Sequence, residues 1–181
     1  MSRARDIAPA ILDEGATVAT VSVKPANHGS RMTEPTLELT DAPDDEAARV
    51  IDGGLAAFNA ANAGYWDWRP LAVLLRDPAD GDIVGGLLGR TSLGLLFVDL
   101  VFIPERLRGK ALGARMLQMA EQEAARRGCR GGMLYTISFQ APGFYERHGW
   151  REFGRIDCDP PGTARIFMTK AIAPAASQER S

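Results

Sequence analysis

Apolar residues along the chain recur with two different spacings, which separate helices from strands. Over about Asp44–Asn59, and again over about Lys110–Arg127, an apolar residue returns every third or fourth position and predicts two amphipathic helices. In the second helix Glu121 is expected to face solvent and Gly128 to be the C-cap, and the predicted buried stripe is Leu112, Met116, Leu117, Ala120 and Ala124. A third, short helix is predicted over Pro142–His148, immediately before Gly149. Short apolar or β-branched runs bounded by turn-forming residues predict seven strands: Thr36–Thr40, Leu71–Leu75, Ile83–Gly89, Leu95–Ile103, Gly132–Ser138, Trp150–Asp157 and Ala164–Lys170.

The predicted elements follow the order β-α-β-β-β-α-β-α-β-β. Short turn segments such as Asp77–Asp82 and Asp159–Gly162 join neighbouring strands directly, which favours antiparallel pairing. Helix Lys110–Arg127 instead separates two strands, as in a β-α-β crossover. The strand before it, Leu95–Ile103, is nearly all apolar and is predicted to be central and buried on both faces. The order therefore predicts a mixed α/β sheet rather than a doubly wound parallel one.

The two ends of the chain are predicted to lie outside a single domain that spans residues 35–172. Residues 1–34 form an extension of uncertain order, because turn-forming residues follow the β-type run Ala16–Val23. Two interpretations stay open: translation starts at Met32, or the extension is an extra strand or a flexible arm. Residues 173–181 are small and polar, which predicts a disordered tail.

The composition is that of a soluble globular protein, with 45% hydrophobic and 24% charged residues among 181. No apolar run approaches the roughly 18 residues of a membrane helix, and the N-terminus lacks the apolar core of a signal peptide. Two cysteines, Cys129 and Cys158, are too few and too far apart for a disulfide framework or a zinc site. We therefore predict a cytoplasmic protein without membrane contact or bound metal.

Charge is distributed unevenly, although the chain as a whole carries only −2. Residues 35–100 contain eleven acids and four arginines, whereas residues 101–172 contain seven acids and twelve basic residues. One interpretation is a basic half that faces an anionic cofactor and an acidic half that faces a cationic acceptor. The alternative is ordinary solvated surfaces. A nucleic-acid partner is not expected, because such proteins are more often basic overall.

The segment Arg106–Ala114 joins the predicted central strand to the long helix and is typical of an anion site. Gly109 has no Cβ, and Ala111 and Gly113 keep the first helical turn bare, so that up to four unpaired N–H groups point to one place. Three basic side chains accompany them: Arg106, Arg108 and Lys110. A diphosphate fits this arrangement; the alternative is a tight turn with solvated basic residues. Neither G-x-x-x-x-G-K-S/T nor an early G-x-G-x-x-G occurs.

Two segments at matched separation resemble the GNAT family of N-acetyltransferases. Arg106–Ala111 reads R-x-x-G-x-A and is similar to the family's acetyl-CoA diphosphate loop, Q/R-x-x-G-x-G/A. Ser138–Trp150 reads S-x-x-A-x-x-F-Y-E-x-x-G-W and resembles the family's N-x-x-A-x-x-F/L-Y-E-x-x-G-F segment, with serine at the usual asparagine. The resemblance covers roughly residues 36–170. It implies a mixed, mostly antiparallel sheet of six to seven strands flanked by helices, with a β-α-β acetyl-CoA-binding core.

The resemblance also implies the site and the reaction. The pantetheine arm is expected to lie in a splay between the strand that ends near Leu100–Ile103 and the strand Gly132–Ser138, hydrogen-bonded to the strand backbone. An amine attacks the thioester of acetyl-CoA directly, with backbone N–H groups near Leu100 or Val101 stabilising the oxyanion. Tyr145 then protonates the departing thiolate; alternatively it is a half-buried aromatic residue with a structural role. Gln140 is a possible substitute for the missing asparagine. The implied cofactor-binding residues are Leu100, Val101, Phe102, Ile103, Arg106, Arg108, Gly109, Lys110, Ala111, Leu112, Gly113, Ala114, Ser138, Ala141 and Phe144.

Candidate residues for binding the amine acceptor are indicated only by their residue types, not by a motif. Asp99 is an acid inside an apolar strand, which indicates either a catalytic base or amine anchor, or a paired structural carboxylate. Glu38 is a weaker candidate for the base. The aromatic loop residues Tyr65, Trp66 and Trp68 with Asp67 suit a cation with an apolar body, or else cover the edge of the sheet.

The predicted function is acetyl-CoA-dependent transfer of an acetyl group to a primary amine. The acceptor is expected to be a small molecule or a peptide, and the acidic first half favours a cationic one. One alternative is an acyl-CoA-binding regulatory module without turnover, and another is a non-enzymatic interaction domain. A homodimer through the terminal strands is also considered.

Overall fold

The computed structural model describes residues 35–173; the predicted N-terminal extension and residues 174–181 of the predicted tail lie outside the described residues. The chain divides into two units between Phe58 and Asn59, within the first helix. A 3-10 turn at Glu105–Leu107 follows the third strand. The helices and strands are α1 Asp45–Ala63, β1 Arg69–Arg76, β2 Ile83–Ser92, β3 Leu95–Phe102, α2 Leu112–Arg126, β4 Gly131–Ile137, α3 Pro142–Arg147, β5 Arg151–Cys158 and β6 Thr163–Ala171.

Six strands form one sheet in the order β1-β2-β3-β4-β6-β5. Only β3 and β4 are parallel, and they flank the crossover helix α2, whereas every other neighbouring pair is antiparallel. The predicted mixed, mostly antiparallel fold is therefore confirmed. No helix in the described part of the chain is long and apolar enough to cross a membrane.

In the first unit, the predicted strand Thr36–Thr40 is wrong. This segment has no strand structure, and Leu37 and Leu39 are largely exposed. Alternating apolar residues form a strand only when a neighbour satisfies their backbone groups, and no described strand pairs with these. The helix prediction is confirmed: Asp44 caps α1, because its Oδ1 accepts the N–H of Ala47 at 2.7 Å.

In the second unit, the core lies between one face of the sheet and α2. The buried helix residues Met116, Leu117, Ala120 and Ala124 match the predicted apolar stripe. Buried strand residues complete the core: Leu71, Leu87, Leu96, Val98, Leu134, Ile166 and Met168. The buried stripe therefore fixes which side of α2 faces the sheet.

Glu121 departs from the expectation that it faces solvent. Its carboxylate is half-buried and accepts hydrogen bonds from Trp150 Nε1 at 2.9 Å and Lys170 Nζ at 2.6 Å. The helical period alone places this residue at the margin of the polar face. Two donors from other elements, which no local pattern reveals, draw it inward.

The C-terminus of α2 is fixed in two ways. Gly128 adopts a φ of +81°, and Cys129 N–H donates to Ala124 O at 2.9 Å, which closes the helix as its predicted C-cap. The Arg127 guanidinium then donates to Pro70 O and Thr91 Oγ1, both at 3.1 Å. These bonds tie the C-terminal end of the helix to β1 and β2.

Candidate functional site

The loop between β3 and α2 follows the path expected of an anion-binding segment. Its first part is closed by Leu107 N–H donating to Pro104 O at 2.9 Å. Gly109 then takes a φ of +75°, and Ala111, the residue before α2, takes a φ of 56°. Both values lie in the left-handed region, which reverses the chain so that it enters the helix from the strand side.

The backbone amides that follow are available to a ligand. Among the described residues, no hydrogen bond uses the N–H groups of residues 109–114. Ala111 provides no side-chain cap for the helix. Orphan amides at a helix start carry the positive end of the helix dipole, so that this loop suits a phosphate better than a neutral group.

Gly113 allows the first turn of α2 to lie close to its neighbours. A Cβ at this position would be 3.3 Å from both Ile103 Cδ1 and Phe144 Cζ. The same glycine therefore brings together the end of β3, helix α3 and the loop Arg106–Ala111, called the phosphate loop after the group that it is proposed to bind. From the sequence, Gly113 was expected only to leave the first turn of the helix without a bulky side chain.

The basic side chains of the loop differ in what they contact. Arg106 lies 3.4 Å from Asp77 Oδ2, and Arg108 Nε donates to Ile103 O at 3.1 Å. Lys110 has no side-chain partner among the described residues. Arg106 and Arg108 therefore brace the loop while they keep positive charge beside its amides.

Strands β3 and β4 are paired over four residues and then separate. The last pair is Val98 with Leu134, although β3 continues to Phe102 along β2 and β4 continues to Ile137 along β6. Consequently Leu100 and Phe102 are 45% and 61% exposed. The expectation that this strand is buried on both faces is wrong, because only Leu96 and Val98 are buried and the second half has β2 but not β4 beside it. The split can accept an extended ligand that hydrogen-bonds like a strand.

The end of β4 is organised by Gln140 as well as by Ser138. Ser138 Oγ accepts the N–H of Ala164 at 3.1 Å, which ties it to β6. Gln140 Oε1 accepts the N–H of Ile137 at 3.0 Å and the hydroxyl of Thr136 at 3.1 Å. Gln140 therefore binds a backbone N–H at the end of β4, beside the split. The sequence had indicated this residue as a possible substitute for the missing asparagine.

Tyr145 lies on α3 with its ring in the core and packs edge-on against Phe144 at 5.1 Å between ring centroids. Burial raises the pKa of the Tyr145 phenol above its usual value near 10. Among the described residues its hydroxyl has no hydrogen-bond partner. Because no buried polar side-chain atom in the described chain lacks a partner, this hydroxyl is accessible from outside the core.

Ala141 immediately precedes α3. His148 ends the helix as predicted, with Nδ1–H donating to Phe144 O at 2.7 Å.

Asp99 is the extra residue in a β-bulge, because Gly89 pairs with Val98 and Leu88 with Leu100. Its two carboxylate oxygens accept hydrogen bonds from Arg90 Nη1 at 2.5 and 2.6 Å. The structure thus gives Asp99 the charge partner that an acid in an apolar strand requires. It also places Asp99 where the split begins.

The aromatic loop lies at the opposite end of β3 from the phosphate loop. Asp67 Oδ1 accepts the N–H of Leu93 at 2.7 Å and so stabilises the turn before β3. The phosphate loop follows the far end of this eight-residue strand, roughly 23 Å away. The half-exposed aromatics Tyr65, Trp66 and Trp68 are therefore not brought beside the cofactor segment. Glu38 belongs to the first unit, where it is exposed.

A row of three aromatic residues near the split was not predicted. Tyr135 on β4, Phe167 on β6 and Phe153 on β5 have centroid separations of 6.1 and 6.3 Å. The signal was present as alternation within β4 and β6, but only the order of strands in the sheet brings these residues together.

Comparison with known sequences decides the family. The sequence profile of the Acetyltransferase (GNAT) family matches residues 43–150, more than half of the chain. The chain belongs to the GNAT family. The GNAT chain is also 40% identical over 132 residues to Acetyltransferase Atu2258 of Agrobacterium fabrum, across 73% of this chain and 96% of that protein. This confirms the predicted enzyme class, a GNAT-type N-acetyltransferase.

Other relatives agree with this membership. The Blasticidin-S acetyltransferase of Streptomyces morookaense is 39% identical over 93 residues, which are 51% of this chain and 68% of that protein. A crystal structure of an acetyltransferase from Bacillus cereus superposes with a TM-score of 0.62 at 26% identity, covering 74% of this chain and 97% of that one. The GNAT fold is thus supported by sequence and by structure.

Proposed function

We propose that this GNAT chain transfers an acetyl group from acetyl-CoA to a primary amine by direct attack on the thioester. The observation that carries the proposal is the continuity of the split between β3 and β4 with the unpaired amides of residues 109–114. An extended arm that ends in a diphosphate requires these two features in this order. ADP or another nucleotide diphosphate would use only the loop.

The residues fit the parts of acetyl-CoA as follows. The amides of residues 109–114, with Arg106, Arg108 and Lys110, would hold the diphosphate. The open edges beyond Val98 and Leu134 would hold the pantetheine arm. When bound, acetyl-CoA supplies a thioester carbonyl carbon that accepts the amine's electron pair as the C–S bond breaks.

Tyr145 is the acid in this proposal. Since burial raises its pKa, the phenol stays protonated throughout the neutral range and has a proton for the departing sulfur. The amine must be neutral when it attacks, and the proton that it loses passes to solvent. Asp99, which is already paired with Arg90, is better suited to anchoring a cationic acceptor than to removing its proton.

An acyl-CoA-binding module without turnover is the second candidate. It is favoured by Ser138 at the usual asparagine position and by the pairing of Asp99 with Arg90. Like the first candidate it requires acetyl-CoA binding, but it releases no thiol.

Two measurements separate these functions. Acetyl-CoA, CoA and ADP are first compared in a thermal-shift titration, where we expect stabilisation by acetyl-CoA and CoA at lower concentrations than by ADP. Free thiol is then measured with acetyl-CoA and a panel of amines, and amine-dependent release is expected. No shift with acetyl-CoA would overturn both functions. Binding without thiol release for any amine would favour the module.

A further inference from the structure

An exposed aromatic row crosses the sheet on the face opposite α2. It consists of Tyr135, Phe167 and Phe153, and Tyr135 and Phe153 are 45% and 57% exposed. On the same strands, the neighbouring residues Leu134 and Ile166 are buried in the core with α2. Since successive side chains in a strand point to opposite faces, the row lies on the other side of the sheet.

The row begins beside the split in which the proposed thioester would lie. Val98 and Leu134 are the last parallel pair, so that Asp99 and Tyr135 are the next residues on their strands. Arg90 contacts the Asp99 carboxylate and also lies 4.5 Å above the Phe97 ring. Asp99 therefore shares the face of Phe97, away from the buried Val98.

We propose that this row and Asp99 form the acceptor subsite, and that the acceptor is a primary amine carried on a planar aromatic or heteroaromatic ring. The proposal rests on the proposed function, because only an acetyl group in the split makes this position an acceptor site. The ammonium group first binds the free lone pairs of Asp99, and it loses its proton to solvent before the neutral amine attacks the thioester. The ring packs against Tyr135 and Phe167, where offset or edge contacts between aromatic rings are favourable.

The spacing of the strands limits the acceptor further. Paired strands lie about 4.8 Å apart and β3 and β4 separate after Val98, so the ring and the amine should be at least about 5 Å apart, a linker of at least about two bonds. Arg165 places its guanidinium 5.0 Å from the Tyr135 ring centre and has no ion pair among the described residues. This cation disfavours polyamines and favours an acceptor with one ammonium group.

The test compares three amines with acetyl-CoA present: 2-phenylethylamine, 2-cyclohexylethylamine and spermidine. The first two differ only in the planarity and unsaturation of the ring. We expect the KM for 2-phenylethylamine to be lower than that for either of the others. Equilibrium binding of the same amines to CoA-saturated protein gives a second readout that does not depend on turnover.

Variants of the aromatic row then test whether these residues cause the preference for the phenyl amine. Phe167→Leu and Tyr135→Leu should each raise the KM for 2-phenylethylamine about three- to tenfold. Neither should change the affinity for acetyl-CoA or the KM for the cyclohexyl amine by more than about twofold. Met119→Ala, at an exposed apolar residue of α2, is the control and should change none of these values.

Three outcomes would overturn the acceptor proposal. The first is equal binding of the phenyl and cyclohexyl amines to the wild-type protein. The second is loss of the preference in Trp66→Leu but not in the row variants, which would assign the acceptor to the aromatic loop. The third is that the row variants alter only sedimentation, from dimer to monomer, which would assign the row to contact between two copies. Failure of the proposed function is distinct, because it appears as absence of acetyl-CoA binding or of thiol release.

Discussion

Gly109→Glu is expected to abolish high-affinity binding of acetyl-CoA. The substitution places a carboxylate in the loop whose amides, residues 109–114, are unpaired among the described residues. At a separation of roughly 5 Å, repulsion between the carboxylate and one phosphate charge is about 1–3 kcal/mol for effective dielectric constants between those of water and a protein surface. This corresponds to a roughly 5- to 150-fold rise in Kd.

Gly109→Ala separates the backbone effect from the charge effect. No atom lies within 4 Å of a Cβ at this position, but φ is +75°, so the alanine variant introduces strain without a clash. That strain is about 1 kcal/mol. The charge effect is therefore the ratio of the Kd values of Gly109→Glu and Gly109→Ala, measured by isothermal titration calorimetry with acetyl-CoA.

Gly128→Ala and Gly128→Glu provide the matched control. Gly128 has a φ of +81° and equally open surroundings, but it lies at the other end of the 15-residue helix α2, roughly 22 Å away. Physiological salt screens charge over about 8 Å, so these variants should bind acetyl-CoA like the wild type. If Gly109→Glu binds acetyl-CoA within twofold of Gly109→Ala, the diphosphate does not lie at this loop.

Three further changes test the acid and the core. Tyr145→Phe should lower kcat about 100-fold with little change in the Kd of acetyl-CoA. Because burial raises the pKa of Tyr145, the wild-type rate should not fall through loss of the phenol proton until the pH exceeds 10. Gly132→Ala should lower the free energy of unfolding by about 1–3 kcal/mol in urea titration, since its Cβ would lie 2.8 Å from Trp150 Cη2. Glu121→Ala should destabilise by about 1–3 kcal/mol, because it leaves the buried Trp150 N–H and the Lys170 ammonium without their acceptor.

The two stability variants have matched controls, and the Tyr145 variant has an outcome that would refute its role. Gly154→Ala should be nearly neutral, because a Cβ there meets its nearest atoms at 3.9 Å; equal destabilisation in Gly132→Ala and Gly154→Ala would contradict the clash. Glu121→Gln keeps an acceptor for the indole N–H and should recover part of the stability, and no recovery would assign the whole effect to the charge. A wild-type kcat in Tyr145→Phe would remove this residue from the mechanism.

The helices and most strands could be predicted because their signals are local. The spacing of Met116, Leu117, Ala120 and Ala124 identified the buried side of α2, and a glycine identified its end. Thr36–Thr40 failed for the complementary reason. A strand depends on a partner elsewhere in the chain, which alternation alone does not supply.

The candidate site divides in the same way. The backbone geometry of the phosphate loop could be predicted because all of its elements, a strand end, Gly109 and a helix start, are contiguous in sequence. The loop of Tyr65 and Trp66 has a suitable composition for an acceptor site, but Asp67 fastens it to the far end of β3. Composition records which side chains are present and not where a long-range hydrogen bond places them.

By itself the sequence determined the mixed α/β class and, through two motifs at matched separation, the GNAT family, and it singled out Arg106–Ala114 as the candidate anion site. These are properties of contiguous residues, whose backbone geometry and periodicity follow from local sterics and side-chain type. The resemblance implied that β3 and β4 separate, but only the tertiary structure decided that they do so after Val98 and that Asp99 pairs with Arg90. It also decided that aromatics from three strands meet beside the split. Each of these depends on strand order and register, which are set by the summed packing of distant segments.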